Sequence, residues 1–162
     1  WWEDASKEFK YSYIDIFPNI TNTITAHDVQ VNSITAWDQS VIRRGIPYEL
    51  GKFNVHFKKS GEYRIILRRW PKESNLNLRD SINDYIPAKK YWDQKSKGKS
   101  MNIASAFIKI GDKEYKIELS DDLKSASINI DIKSGKTSLE PGFILDNGQT
   151  SIAFYTDIDF LF

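Results

Sequence analysis

The sequence predicts an all-β fold, an antiparallel β-sandwich of the jelly-roll type with a short lead-in helix and one long loop. The first observation is that apolar and polar residues alternate with a period of two in many short segments of the 162-residue chain. The second is that clusters of Gly, Asn, Asp and Ser separate these segments. The third is that no long helical pattern lies between them, and this combination is typical of sandwiches and jelly rolls.

The start of the chain is predicted to lie outside the sandwich. Residues 1–9 fit two helical turns and residues 11–16 alternate as a strand does, so we interpret 1–16 as a lead-in from an upstream domain. Residues 17–162 are then one domain. A chain that opens on Trp1 and Trp2 without an initiator Met is expected to be cut from a longer protein. No apolar segment approaches the roughly 20 residues that a membrane span needs.

The strongest strand signal is a predicted hairpin. Its first strand carries Phe53, Val55 and Phe57, its second carries residues 63–67, and Lys59-Ser60-Gly61 is the turn between them. Other strands are predicted over 20–26, 103–110, 115–119, 128–132, 138–145 and 152–162. The polar segment 72–102 breaks the alternation and is the predicted long loop, a kind of segment that is often functional in a compact domain.

Composition excludes several classes of function. The formal charge is only +1, so no overall field favours nucleic acid or a membrane surface. The absence of cysteine excludes thiol nucleophiles, thiolate zinc sites and disulfides. His27 and His56 are not at metal-ligand spacing. Asp157 and Asp159 share a strand face and are candidates for half of a structural calcium site, with a solvated edge as the alternative.

Arginine is unevenly distributed. Five of the six arginines lie between Arg43 and Arg69, although the chain otherwise prefers lysine. Guanidinium groups bind carboxylate, sulfate or phosphate with two parallel hydrogen bonds. The alternative is that these arginines pair with acidic side chains or stack on Trp37 and Trp70.

Candidate residues for ligand binding or domain docking combine this arginine chemistry with tryptophan. Tryptophan faces stack on sugars while arginine holds acidic groups, but the same residues also serve as core or interface anchors. The candidates are His27, Asp28, Trp37, Gln39, Arg43, Arg68, Arg69, Trp70 and Trp92. No catalytic residue is predicted, because no nucleophile, base and orienting group occur together in a motif.

Several blocks occur in an order that resembles a known family. They are Thr25-Ala26-His27-Asp28, Trp37-Asp38-Gln39-Ser40, Gly51-Lys52-Phe53-Asn54-Val55, Gly61-Glu62-Tyr63-Arg64 and Leu67-Arg68-Arg69-Trp70-Pro71-Lys72-Glu73. Together they resemble the C-terminal accessory region of bacterial arylsulfatase-type sulfatases, of the kind abundant in Bacteroidetes. The resemblance covers most of the chain.

The resemblance implies a parent enzyme that hydrolyses sulfate esters. Such enzymes use a formylglycine made within Cys/Ser-x-Pro-x-Arg, with calcium beside it, and none of the five prolines here has that context. Formylglycine and calcium are therefore expected in the upstream catalytic domain, and this chain is expected to be non-catalytic. The resemblance also implies a periplasmic, cell-surface or secreted parent.

Two functions follow as expectations. The first is an accessory domain that docks on the catalytic domain of the same parent and shapes its substrate cleft. The alternative is an independent carbohydrate-binding module for sulfated or acidic glycans. The expected partners are the upstream domain and a glycan, with no nucleic acid and no membrane span.

Overall fold

The computed structural model describes residue 4 and residues 12–29, 39–82, 97–119 and 123–162. Apart from Asp4, the predicted lead-in helix over 1–9 lies outside the described residues, as do Trp1 and Trp2. That helix stays a prediction.

Within these ranges the chain forms ten strands. In chain order they are β1 (Ile14–Ile16), β2 (Asn22–Thr25), β3 (Phe53–Phe57), β4 (Gly61–Arg68), β5 (Ile103–Ile110), β6 (Lys113–Ile117), β7 (Ala126–Ile132), β8 (Gly135–Leu145), β9 (Thr150–Ile152) and β10 (Tyr155–Phe160). One short helix, α1 (Gln39–Arg43), and two 3₁₀-helices, Ala26–Asp28 and Lys72–Ser74, complete the described elements. The sequence pattern did not predict helix α1.

The strands form two sheets. Sheet A has the order β1-β3-β8-β5-β6. In addition, β9 pairs with residues 142–144 of the long strand β8. Sheet B has the order β2-β10-β4-β7. All pairings are antiparallel except that of β1 with β3, which is parallel.

The two sheets pack face to face around one apolar core. Alternate residues of each strand face this core because successive side chains of a strand point to opposite faces. On β3 these are Phe53, Val55 and Phe57, and on β4 Ile65 and Leu67 are completely buried opposite them. The predicted all-β sandwich is confirmed.

The predicted hairpin between β3 and β4 is wrong. β3 pairs with β1 and β8 in sheet A, whereas β4 pairs with β10 and β7 in sheet B. The connection through Ser60 therefore crosses from one sheet to the other, and the rings of Phe57 and Tyr63 meet edge to face at 5.0 Å. The alternation is present in both strands, but it shows only that each has one buried face and not that they share a sheet.

The predicted strand over 152–162 is two strands in different sheets. β9 ends at Ile152, where the Ala153 amide donates to the Pro141 carbonyl in sheet A at 3.1 Å. The Phe154 carbonyl then accepts from the Ala26 amide at the end of β2. The chain changes sheets here, and Ile152 and Phe154 remain buried because both sheets face the same core.

β1 belongs to the sandwich, although it lies within the segment 1–16 interpreted as a lead-in. Ile14, Asp15 and Ile16 lie beside Val55, His56 and Phe57 of β3, and Ile16 is completely buried. The first strand of the sandwich among the described residues is thus Ile14–Ile16.

Tyr63 in the centre of the core predicts a loss of stability at alkaline pH. Its side chain is completely buried, and its hydroxyl donates to the Lys59 carbonyl at 2.6 Å. Burial raises the pKa of Tyr63 above its ordinary value of 10.0, with the hydrogen bond to Lys59 opposing this in part. The folded protein therefore keeps a proton that the unfolded chain loses, so this contribution is complete below pH 10.0 and is lost as the pH rises through the folded pKa.

The Tyr63→Phe variant isolates that contribution. Urea unfolding of both proteins, at neutral pH and above pH 10.0, should show a smaller alkaline loss of unfolding free energy in the variant. The other titrating groups are common to both proteins and cancel in the comparison. Parallel pH profiles for the two proteins would contradict the assignment to Tyr63.

Candidate functional site

At the end of β4 lie Arg68, Arg69 and Trp70, which we call the arginine-tryptophan block. Their three side chains do not converge on one surface. Consecutive residues of an extended chain point in opposite directions. Arg68 points to the outer face of sheet B, where it meets Asp157. Arg69 is completely buried, and Trp70 is only 3% exposed. The two adjacent arginines therefore have different roles.

Arg69 binds four backbone carbonyl oxygens. One terminal nitrogen donates to Leu78 at 3.4 Å and Asp80 at 2.9 Å, and the other donates to Ile42 at 3.0 Å and Lys99 at 2.6 Å. We call this arrangement the Arg69 clamp. It joins the end of α1 to two stretches of the long loop that are far apart in sequence.

The guanidinium of Arg69 is a buried charge. Backbone carbonyls accept the hydrogen bonds that water would accept at the surface. Burial lowers the pKa of Arg69 to about 10, and the nearby carboxylate of Asp80 opposes this change. The guanidinium remains charged at neutral pH. Its carbon also lies 4.5 Å from the centre of the Trp70 ring, a cation-π contact in a desolvated site.

The clamp fixes the base of the predicted long loop. The Gly98 amide donates to the Ile82 carbonyl at 2.6 Å, and the Lys99 amide donates to the Arg43 carbonyl at 2.8 Å. Leu78 is completely buried in the core close to the clamp. Ile82 and Gly98, on either side of segment 83–96, which lies outside the described residues, are therefore adjacent.

Gly45 allows the chain after α1 to approach this base. Its φ of +63° is in the left-handed region, and an added Cβ would lie 2.5 Å from the Ser100 carbonyl and 2.7 Å from that of Lys99. Both neighbours are backbone atoms, so they cannot rotate away. The site needs glycine for both reasons.

We expect Gly45→Ala to lower the unfolding free energy by about 1–3 kcal/mol. Gly148→Ala is the matched control, because Gly148 also has a positive φ, of +81°, but a Cβ there meets no atom within 4 Å. Urea unfolding of the two variants separates steric overlap from backbone strain. Equal losses in both would show that the close approach to Ser100 and Lys99 contributes nothing.

The second arginine of the block forms an ion pair on the outer face of sheet B. Both terminal nitrogens of Arg68 donate to Asp157, one to each carboxylate oxygen, and the longer bond is 3.0 Å. The Thr23 hydroxyl donates to the same carboxylate at 2.8 Å. The side chains of Arg68 and Asp157 are only 12% and 7% exposed, so the pair is largely desolvated.

The ion pair includes Asp157, one of the two candidates for a calcium site, the other being Asp159. Both oxygens of Asp157 already accept hydrogen bonds from Arg68, so the carboxylate is engaged by a cation of the protein itself. Among the described residues, no group of three or more His, Cys, Asp or Glu side chains is arranged to hold a metal ion.

A cleft of about 390 Å³ opens beside the ion pair. The outer face of β4 and β10 forms its floor. Its walls are the residues that follow Trp70 and the residues just before β7. The lining residues are Thr21, Ile66, Arg68, Trp70, Pro71, Lys72, Asn75, Leu76, Lys124, Ser125, Asp157 and Asp159. We call it the Arg68 cleft.

The other candidate residues are dispersed. His27 is exposed in the first 3₁₀-helix, and Asp28 caps that helix by accepting from the Thr25 amide and hydroxyl at 3.0 and 2.9 Å. Arg43 is only 4% exposed and ends α1. Gln39 begins α1, and its side chain is not described. Trp37 and Trp92 lie outside the described residues.

The polar residues that sequence reasoning missed at the Arg68 cleft include Lys72, Asn75 and Lys124 in its lining and Thr23, which bonds Asp157 at its floor. Lys72 follows the arginine-tryptophan block closely and could have been included on that ground. Lys124 and Thr23 come from distant segments and carry no signal of their own.

No protein-family model matches the chain, and no curated protein matches it at a significant level. In the described part of the chain, no helix is long and apolar enough to cross a membrane.

Proposed function

We propose that the chain is a non-catalytic accessory domain of a sulfatase that docks on the catalytic domain of the same parent and shapes its substrate cleft. The observation that supports this best is the burial of three of the candidate contact residues. Arg43, Arg69 and Trp70 are 4%, 0% and 3% exposed, and Arg69 uses its terminal nitrogens on backbone carbonyls. Arg43 and Arg69 therefore belong to the scaffold, and of the three only Trp70 lines a surface cleft.

The scaffold suits a domain that presents one segment to a partner. The clamp and the pairing of Gly98 with Ile82 hold both ends of segment 83–96. By sequence this segment carries Tyr91, Trp92 and, with the residues that follow it, several lysines. Aromatic residues are enriched at protein–protein interfaces, and lysine ammonium groups form charge-assisted hydrogen bonds with acidic groups of a ligand.

The chemistry of the proposed parent belongs to the upstream domain. That domain would supply the formylglycine and calcium that the resemblance implies, and this chain would supply shape and charge at the rim. Because the resemblance is to exported enzymes, the proposal places the domain in the periplasm, at the cell surface or outside the cell.

Association with the upstream region tests the proposal. The chain and the upstream region of its parent gene, produced as separate polypeptides, should form a one-to-one complex in sedimentation velocity. Replacing residues 84–95 by a Gly-Ser linker of equal length should weaken the complex, whereas Lys113→Gln on a distant edge strand should not. Absence of any complex, or a complex that tolerates the linker as well as the wild-type segment, would refute the role of this segment.

A further inference from the structure

The Arg68 cleft has a rigid polar floor. The guanidinium of Arg68 is held by two hydrogen bonds to Asp157, and Asp157 is held in turn by Thr23 on the neighbouring strand. These side chains come from β4, β10 and β2, which are adjacent in sheet B. The floor therefore needs no ordering when a ligand binds, and this reduces the entropic cost of binding.

The charge of the lining is slightly positive. Arg68, Lys72 and Lys124 contribute three cations, and Asp157 and Asp159 contribute two carboxylates, so one positive charge is in excess. Arg68 and Asp157 neutralise each other at the floor, which leaves the excess charge at the rim, where Lys72 and Lys124 are both exposed. A ligand with one negative group near the rim would be attracted.

The remaining lining suits a ligand rich in hydroxyl groups. Asp159 and the amide of Asn75 are partners for hydroxyl groups, while Ile66 and Leu76 offer aliphatic surface to the C–H face of a sugar ring. The Lys124 ammonium donates to the Asn75 side-chain oxygen at 2.7 Å, which links the two walls. The volume of about 390 Å³ is at the small end of the range of about 300–1,000 Å³ for small-molecule sites.

We propose that the Arg68 cleft binds an acidic saccharide, one or two sugar units of which one bears a sulfate or carboxylate group. Lys72 and Lys124 hold the anionic group, and Asp159, Asn75 and the aliphatic wall hold the ring. This inference does not depend on the proposed docking to a catalytic domain, because all residues that line the cleft belong to this domain. The domain contacts glycan directly, through residues that do not belong to segment 83–96.

A second depression of similar size provides the matched control. It has a volume of about 410 Å³ and is lined by Lys113, Lys133, Lys136 and residues of β6 and β7. It contains exposed lysines, as the Arg68 cleft does, but no buried ion pair among its lining residues. Removing lysines there changes the net charge of the protein by the same amount without touching the proposed site.

Calorimetric titration of the 162-residue chain tests the site with three size-matched oligosaccharides: neutral, uronic-acid-containing and sulfated. The acidic ones should bind, more weakly at high salt, and the neutral one should bind at least about tenfold more weakly. Lys72→Gln combined with Lys124→Gln should reduce affinity for the acidic ligands about tenfold or more. Lys113→Gln combined with Lys133→Gln should leave it unchanged.

Comparing the affinities for the two acidic oligosaccharides identifies the anionic group. Tighter binding of the sulfated one indicates that the lysines recognise sulfate, and tighter binding of the uronic-acid one indicates that they recognise carboxylate. Three results would overturn the proposal: no binding of either acidic ligand at millimolar concentration, equal affinity for neutral and acidic ligands, or equal loss in the two double-lysine variants. Because the chain is titrated alone, failure here is distinct from failure to bind the upstream domain. Thermal unfolding of each variant shows whether the fold is intact.

Discussion

Replacing Arg69 with methionine is expected to lower the free energy of unfolding by about 3–5 kcal/mol, more than any other substitution in the arginine-tryptophan block. The guanidinium is completely buried and is the hydrogen-bond donor to four carbonyls, those of Leu78, Asp80, Ile42 and Lys99. Each buried acceptor left without a donor costs about 1–3 kcal/mol. Methionine matches the length of the side chain but provides no donor.

Two further variants separate the clamp from the charge alone. Arg69→Lys keeps a cation, but a single ammonium cannot span the positions of four carbonyls as a planar guanidinium does, so most of the loss should remain. Arg64→Met is the matched control, because Arg64 lies on β4, the strand that Arg69 directly follows, and is exposed. It should change stability by no more than about 0.5 kcal/mol. Urea unfolding that shows similar values for Arg69→Met and Arg64→Met would contradict the clamp.

Breaking the ion pair on the outer face of sheet B should have the second largest effect. Asp157→Ala leaves the Arg68 guanidinium, which is 12% exposed, without its carboxylate, and we expect a loss of about 2–4 kcal/mol. Arg68→Met should cost a similar amount, because the 7% exposed carboxylate then loses both of its charged donors.

A double-mutant cycle measures the pair itself. The variant that combines Arg68→Met with Asp157→Ala buries no charge, so it should be more stable than either charge-breaking single variant. Asp159→Ala, two residues further along the same face of β10, serves as the control and should be nearly neutral. Additive losses in the double variant would show that the two side chains do not stabilise each other.

The sandwich could be predicted because burial of one strand face is a local property of the sequence. Alternation in β3 and β4 appears within each strand and requires no knowledge of the partner strand. Pairing is a long-range property, and for this reason the connection through Ser60 could be mistaken for a hairpin turn. The change of sheet at Ala153 was missed for the same reason, since apolar residues face the core on either side of it.

The roles of the two neighbouring arginines could not be read from the sequence. The partner of Arg68 is Asp157, 89 residues away, and the pairing depends on the register of β10 against β4. The partners of Arg69 are backbone carbonyls, which have no signature in the sequence at all. Leu78 lies in the segment predicted as a polar loop, where most of the neighbouring residues are polar. It is nevertheless completely buried.

The burial of Arg69 and Trp70 changes the functional interpretation of the block. Sequence reasoning treated the block as one set of candidate ligand contacts, with structural pairing as the alternative. The structure divides it into Arg69, which belongs to the scaffold, and Arg68 and Trp70, which line the cleft although Trp70 is only 3% exposed. The glycan site that we propose depends on Lys72 and Lys124, which were not among the sequence candidates.

Sulfate release from a sulfated glycan is the most direct test of the account. It should be measured with the chain alone, with the catalytic domain that we propose lies upstream of it, and with the two together. We predict no release by the chain, and faster release by the mixture than by the upstream region alone. Hydrolysis by the isolated chain, or identical rates with and without it, would contradict a non-catalytic domain that shapes the substrate cleft.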